Sequence, residues 1–182
     1  MRHTAPLLLL AGTLAVSACD TDPGDDVGEN ELITRVTLTM TPQGGGAAAT
    51  AEYRDANGDG LIQAGEFSTL TLRAGTTYTG AIAFFDGSED VTVEVRAESD
   101  EHQVVYTAGG AAAGRLTVTA TDRDANGKPI GLATTAAVTA GAAASGTLRA
   151  VLYHYEAVSA KQAGVPGNDA DFDGTFPVAL TN

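Results

Sequence analysis

The sequence has one cysteine, no tryptophan and few basic residues, and each scarcity excludes a class of protein. A single cysteine excludes an intramolecular disulfide, so the fold depends on packing, with or without a metal ion. Ten Lys and Arg residues stand against 23 Asp and Glu, which gives a formal net charge of −13. Nucleic-acid binding needs clustered cations that displace counterions from phosphates. The composition therefore excludes nucleic acid as a partner and favours cations or basic proteins.

Long apolar runs are also scarce, and the one at the N-terminus is shorter than a membrane span. Arg2 precedes an apolar run of about a dozen residues from Ala5 to Val16. Small residues then lead to the cysteine in the order Val16-Ser17-Ala18-Cys19. This layout is typical of a secretory signal peptide, here residues 1–18, and its ending resembles a bacterial lipobox.

Cys19 is the predicted lipidation site. In lipoproteins with this motif the signal is removed before the cysteine, whose sulfur and amino group then carry acyl chains. Each buried methylene contributes about 0.8 kcal/mol, so two or more chains hold a soluble domain on a bilayer. We expect a lipid-anchored protein of the cell envelope, at the outer membrane. The alternative is a secreted protein with a free thiol. Residues 19–31 are acidic and are predicted to be a flexible tether.

Beyond the tether, apolar residues and threonines alternate with period two. Val36, Leu38 and Met40 alternate with threonines, and the same pattern recurs at 91–96 and 116–121. Such segments are typical of strands that cover a core with one face and meet water with the other. Further strands are predicted at 48–54, 67–73, 78–85, 102–107, 131–139, 147–155 and 175–181. Glycine- and asparagine-rich turns separate these segments. The pattern predicts an all-β domain over residues 32–182, a single immunoglobulin-like antiparallel β-sandwich of about 8–10 strands with Greek-key links. A closed barrel is the alternative.

The segment from Asp55 to Glu66 has the spacing of an EF-hand calcium loop. Its candidate ligands stand at alternate positions, a glycine occupies the sixth place and a glutamate closes the twelve-residue span. The predicted calcium ligands are Asp55, Asn57, Asp59, Leu61 and Glu66. The flanking residues indicate strands where an EF-hand has helices. The alternative is a polar hairpin loop without metal.

Two further acidic segments repeat part of this spacing. Asp122, Asp124 and Asn126 precede Gly127, and Asp169, Asp171 and Asp173 precede Gly174. Neither segment has a closing glutamate. We therefore predict a turn at each.

Two histidines of the mature chain, His102 and His154, lie in predicted strands. Alternation puts each on an apolar, inward face. Two inward imidazoles that meet would form a site for a transition metal or a haem iron, which would suit an accessory to an outer-membrane transporter. The alternative is two unrelated core histidines, which the absence of an evident third ligand favours.

No arrangement typical of an enzyme is recognisable. Ser145 lacks the nucleophile-elbow pattern, and no cysteine is free to act as a nucleophile. We therefore expect a binding or docking module, with a small solute or an envelope protein as partner, and not an enzyme.

Several short motifs follow one another in a fixed order from about Leu32 to Leu180. They are Leu32-Ile33-Thr34, the loop 55–60, residues 76–80, Glu101-His102-Gln103 with Tyr106, residues 124–131, residues 145–148, His154 and Phe176-Pro177-Val178. In this order the motifs resemble a group of small bacterial lipoproteins that carry the label "type 1 periplasmic binding fold superfamily protein". The resemblance implies an envelope lipoprotein that binds a solute. The label also implies a two-lobed α/β fold, whereas the periodicity predicts strands.

Overall fold

The computed structural model describes residues 32–167 and 169–182, most of which belong to two β-sheets. The first sheet contains β1 (Arg35–Pro42), β2 (Ala49–Arg54), β4 (Thr77–Asp86), β5 (Glu89–Asp90), β7 (Leu116–Ala120) and β8 (Ala133–Val138). The second contains β3 (Leu70–Arg73), β6 (His102–Gly110), β9 (Ala144–His154) and β10 (Asp169–Thr181).

The strand order confirms the predicted all-β sandwich. The first sheet runs β2-β1-β4-β8-β7, with β5 attached to β4, and the second runs β3-β10-β9-β6. All neighbouring strands are antiparallel except β3 and β10, which are parallel. The described residues do not have the two-lobed α/β fold that the family label implies.

The core lies between the sheets and follows the alternation of the sequence. Val36, Leu38 and Met40 of β1 are fully buried, and the threonines between them face outward or are half-buried. Five aromatic rings pack at the core with centroid distances of 5.0–6.0 Å, in pairs that link Tyr53, Phe67, Phe84, Phe172 and Phe176.

The predicted strand at 91–96 is wrong, because this segment contains the helix α1 (Thr92–Ala97). Val91 and Val95 are buried, whereas Val93 is 66% exposed. Valines at every second position also place two valines four residues apart, which is one helical turn. The Thr92 side chain fixes the start of the helix, since its Oγ1 accepts a hydrogen bond from the Phe84 amide at 2.9 Å.

The predicted turn at residues 169–174 is also wrong. These residues begin β10, which pairs with β9 along nearly its whole length. Between β9 and β10 the chain forms an irregular segment, residues 155–167, which contains no strand or helix. The only described helices are short, and none is long and apolar enough to cross a membrane.

Candidate functional site

His102, His154 and Asp171 converge at one end of the sandwich. His102 is the first residue of β6 and His154 the last residue of β9, and the two are register partners. Their rings stack with centroids 4.6 Å apart and planes 25° apart. The two histidines are therefore in direct contact.

A β-bulge brings the third residue to this pair. The register of β10 against β9 shifts between Ala170 and Phe172, so that Asp171 has no direct partner on β9. Phe172 is buried in the core, and the Asp171 side chain beside it is also 0% exposed. Bulges re-aim side chains in this way because two residues on one strand oppose one on its neighbour.

The potential ligand atoms of these residues form a compact group, with the side chains of His102 and Asp171 buried and His154 half-buried. One atom from each of His102, His154 and Asp171 lies within 4.8 Å of the other two. Nε2 of His102 is 3.3 Å from Oδ2 of Asp171, and the His102 side chain is 1% exposed. Nδ1 of His102 donates to the backbone carbonyl of Glu98 at 3.2 Å, because a carbonyl oxygen can only accept.

The inward atoms of this group lack hydrogen bonds. Three buried atoms of this group have no hydrogen-bond partner among residues 32–167 and 169–182. They are the two carboxylate oxygens of Asp171 and Nε2 of His102. With Nδ1 protonated, a neutral His102 presents the lone pair of Nε2 to a carboxylate. Two facing lone pairs in a buried place are unfavourable unless a cation or a proton lies between them.

The pKa of His102 shows that its surroundings favour a positive charge. Burial disfavours the imidazolium, but the Asp171 carboxylate and the Glu98 carbonyl outweigh it, so the pKa of His102 is raised above its ordinary value. The Glu98 carboxylate also raises the pKa of His102, because its Oε2 lies 3.9 Å from Nδ1 of His102. The site therefore attracts positive charge.

The spacing also suits a small metal ion. Zinc binds nitrogen and carboxylate oxygen at about 2.0–2.2 Å in tetrahedral sites, which puts two ligand atoms roughly 3.3–3.6 Å apart. The distance between Nε2 of His102 and Oδ2 of Asp171 falls in that range. The Nδ1 contact with a backbone carbonyl is the usual outer support of a metal-binding imidazole, since it fixes the tautomer and the ring orientation.

A second buried charge cluster fixes the turn that precedes His102. The ammonium of Lys161 is fully buried and donates to Oδ2 of Asp124 at 2.9 Å and to the carbonyl of Ser99 at 2.5 Å. Oδ1 of Asp124 accepts from the amides of Asn126 and Lys128. The segment 155–167 is thereby held against the turn at 98–101.

The 122–127 segment forms the predicted turn, and Asp124 is committed to this ion pair. The pKa of Asp124 is pushed up by burial but lowered more by Lys161 and the two backbone donors, so it lies below its ordinary value. Its oxygens differ from those of Asp171 in that both are hydrogen-bonded.

The predicted calcium loop lies on the surface, far along the chain from the histidines. The carboxylates of Asp55, Asp59 and Glu66 come within 4.8 Å of one another. Gly60 has a φ of +70°, which allows the sharp bend that the motif needs. The sequence therefore correctly predicts the convergence of these three side chains.

The same carboxylates already accept hydrogen bonds from the loop itself. Asp55 accepts from the amides of Gly58 and Gly60, and Asp59 accepts from the amide of Leu61. The Asn57 side chain donates to Asp59 at 3.0 Å, and Glu66 accepts from the amide of Gln63. Leu61 is 63% exposed. Burial raises the pKa of the adjacent Tyr53 to about 12, and the negative charges of the loop contribute a smaller part of this rise.

One predicted site residue lies outside the described part of the chain, and one residue of the histidine group is not predicted from the sequence. Cys19 lies outside the described residues. Asp171 was not predicted as a ligand, because its spacing to Asp169 and Asp173 indicates a turn. The signal available in the sequence was the alternation of Phe172, Gly174 and Phe176 after it, which is typical of a strand.

Comparisons of this chain with protein-family models, with curated proteins and with solved structures find no match. The argument about function therefore depends on the site itself.

Proposed function

We propose that the protein is a lipid-anchored domain outside the cytoplasm that binds a transition-metal ion through His102, His154 and Asp171. The observation that carries this proposal is the convergence of two imidazoles and one carboxylate at a point where the buried oxygens of Asp171 and Nε2 of His102 have no hydrogen-bond partner among the described residues. The role is binding and not catalysis.

The donor set favours a transition metal over calcium. Two imidazoles and one carboxylate suit zinc, copper, nickel or iron, whereas calcium takes six to eight oxygens. The close stacking of the rings and the burial of His102 favour a bare ion over haem. Zinc is the simplest probe, because its coordination does not depend on redox state.

The test is direct binding of zinc and of cobalt(II), which reports its ligands through visible absorption. We expect one site per chain in the wild-type protein and a loss of affinity of at least about tenfold in His102→Ala, His154→Ala and Asp171→Asn. Asp173→Asn is the matched control, since Asp173 lies on the same strand but is exposed and pairs with Arg149. Equal binding by wild type and the three site variants would contradict the proposal.

The lipid anchor has its own support and its own test. The order Val16-Ser17-Ala18-Cys19 after an apolar run supports acylation of Cys19 and anchoring at the outer membrane. Mass spectrometry of the exported protein should find acyl chains on Cys19, and Cys19→Ser should release the protein from membranes. An unmodified thiol on Cys19 would contradict the anchor without affecting the metal site.

Calcium binding at the loop 55–66 is the second proposal. The convergence of Asp55, Asp59 and Glu66 supports it, and we expect the weak affinity of extracellular modules, a Kd of about 0.1–1 mM. Calcium would then replace the hydrogen bonds that the loop makes with itself and stiffen the loop, with no part in metal capture at the histidines.

A further inference from the structure

The two seams of the sandwich, where an edge strand of one sheet faces an edge strand of the other, are closed to different extents. At one seam β2 faces β3, and backbone contacts link the sheets. The Ser68 amide donates to the Glu52 carbonyl at 2.8 Å, the Glu52 amide donates to Oγ of Ser68 at 2.7 Å, and Tyr53 and Phe67 form a bridge. This seam leaves little room for another strand.

At the other seam β6 faces β7, and the described residues of these two strands form no ladder with each other. The turn at 111–115 joins them at one end. At the other end the Val104 amide donates to the Ile130 carbonyl at 2.7 Å, and the Tyr106 hydroxyl donates to the Gly131 carbonyl at 2.8 Å. Gly131 has a φ of +88°, and a side chain there would collide with the Val104 carbonyl. The described hydrogen bonds from β6 to the segment across this seam lie at that second end.

The backbone groups that face this seam follow from the strand alternation. Since Val104 faces Ile130, the N–H and C=O groups of Tyr106 and Ala108 face the same side. On the β7 side, the Arg115 carbonyl accepts from the Thr139 amide and the Thr121 amide donates to the Ala133 carbonyl, so the backbone groups of Arg115 and Thr121 point toward β8. By alternation, the backbone groups of Val118 and Ala120 face the seam. Tyr106, Ala108, Val118 and Ala120 therefore present free donors and acceptors, as far as the described residues show.

A groove of about 500 Å³ lies along this seam. Apolar side chains line most of it, among them Tyr106, Val118 and Pro129. Its charged lining residues are Arg123 and Lys128, and no acidic residue lines it, although the chain has a net charge of −13. The Lys128 ammonium donates to two backbone carbonyls, and the exposed Arg123 makes no hydrogen bond or ion pair with the described residues.

We propose that this groove accepts an extended, acidic peptide segment of another protein, which adds as a strand between β6 and β7. The outward backbone groups of β6 and of β7 both face this seam, so a segment laid along it meets hydrogen-bonding partners on both strands. β7 has five residues, which sets the length of the segment. Arg123, which lines the groove, favours an acidic side chain at one end of the peptide segment. A second copy of this chain is disfavoured by the repulsion of two acidic domains.

The test uses amide hydrogen exchange with a synthetic probe. The probe is a seven-residue peptide of alternating valine and threonine with an aspartate at each end. The amides of Tyr106, Ala108, Val118 and Ala120 should exchange fast in the free protein and at least about tenfold more slowly with saturating probe. The Val104 amide, which is already bonded to Ile130, is the internal reference. A probe with N-methylated amides should give no protection, because it cannot donate to the edges.

The acidic preference has a separate control. Arg123→Gln should weaken binding of the acidic probe about 1.4- to fivefold, the range of one exposed ion pair, and a probe with lysine ends should bind less well than the acidic one. Arg96→Gln, at an exposed arginine of α1, should leave binding unchanged.

Three results would overturn the proposal: unchanged exchange at millimolar probe, equal protection by the N-methylated probe, or slow exchange of the four amides without any probe. In the last result, dependence on protein concentration would identify a second copy as the occupant, and independence would identify a segment of the chain itself.

Discussion

The buried site at His102, His154 and Asp171 and the exposed loop at 55–66 each bring three ligand atoms within 4.8 Å, but they differ in what those atoms already bind. In the loop, both oxygens of Asp55 and Asp59 accept hydrogen bonds from the loop itself. In the buried site, the oxygens of Asp171 accept none from the described residues. Convergence alone therefore does not separate the two sites, whereas the burial of a carboxylate without hydrogen-bond partners does.

Asp124 provides a third arrangement that separates burial from the lack of partners. Its side chain is 1% exposed, as deeply buried as Asp171, but Lys161 and two backbone amides satisfy it. If the comparison is right, Asp124 stabilises the fold and binds no metal, Asp171 binds metal, and the loop carboxylates bind calcium weakly.

The largest expected effect is on the buried ion pair. Lys161→Met should lower the free energy of unfolding by about 3–5 kcal/mol, because it leaves a buried carboxylate without its cation. Denaturant unfolding measures this. The matched control is Arg149→Met, which breaks an exposed pair with Asp173 and should cost about 0–1 kcal/mol. A similar small cost for both variants would show that burial does not distinguish the two pairs.

The second prediction concerns the effect of zinc on the free energy of unfolding, which denaturant unfolding again measures. Zinc at 100 times its Kd should raise the free energy of unfolding of the wild-type protein by about 2.7 kcal/mol, since it binds the folded state. Asp171→Asn should reduce the gain to about 1.4 kcal/mol or less at the same zinc concentration, since its site binds at least about tenfold more weakly, whereas Glu66→Gln should keep the full gain. If Glu66→Gln lost the gain instead, the roles of the two sites would be reversed.

The third prediction concerns calcium at the loop. Calcium at 1 mM should stabilise the wild-type protein by about 0.4–1.4 kcal/mol if its Kd is about 0.1–1 mM. Glu66→Gln should lose this effect, and Asp171→Asn should retain it, because the two sites share no residue. An unchanged thermal midpoint at millimolar calcium would mean that the loop bonds only with itself.

The smallest effect is the pH dependence of the Asp124 contribution. The pKa of Asp124 is lower in the folded state than in the unfolded state, so its contribution is complete above the unfolded value, about 3.9, and is lost as the pH falls through the folded value. The stability difference between wild type and Asp124→Asn should therefore be constant from pH 5 to 7 and shrink below about pH 4. A difference that grows in acid would mean that the folded pKa is raised.

The sequence predicts the sheets well, because alternation depends on local spacing alone. Val36, Leu38 and Met40 indicate an inward face, and this face is buried. The segment at 92–97 shows the limit of this rule, since valines at every second position fit both a strand and one turn of helix. Tertiary contacts of Val91 and Val95 decide between the two.

The candidate site is predicted only in part. Alternation turns His102 and His154 inward, but it cannot reveal that they are register partners. Asp171 enters the site through a bulge, which depends on how β10 pairs with β9 over long sequence distance. The loop at 55–66 is predictable because all its ligands come from one short segment.

The most direct test of the account is anomalous diffraction at the zinc absorption edge from crystals grown with one equivalent of zinc. The account predicts a single strong peak between Nε2 of His102, the ring of His154 and the carboxylate of Asp171. A peak at Asp55, Asp59 and Glu66 with none between the histidines would contradict it.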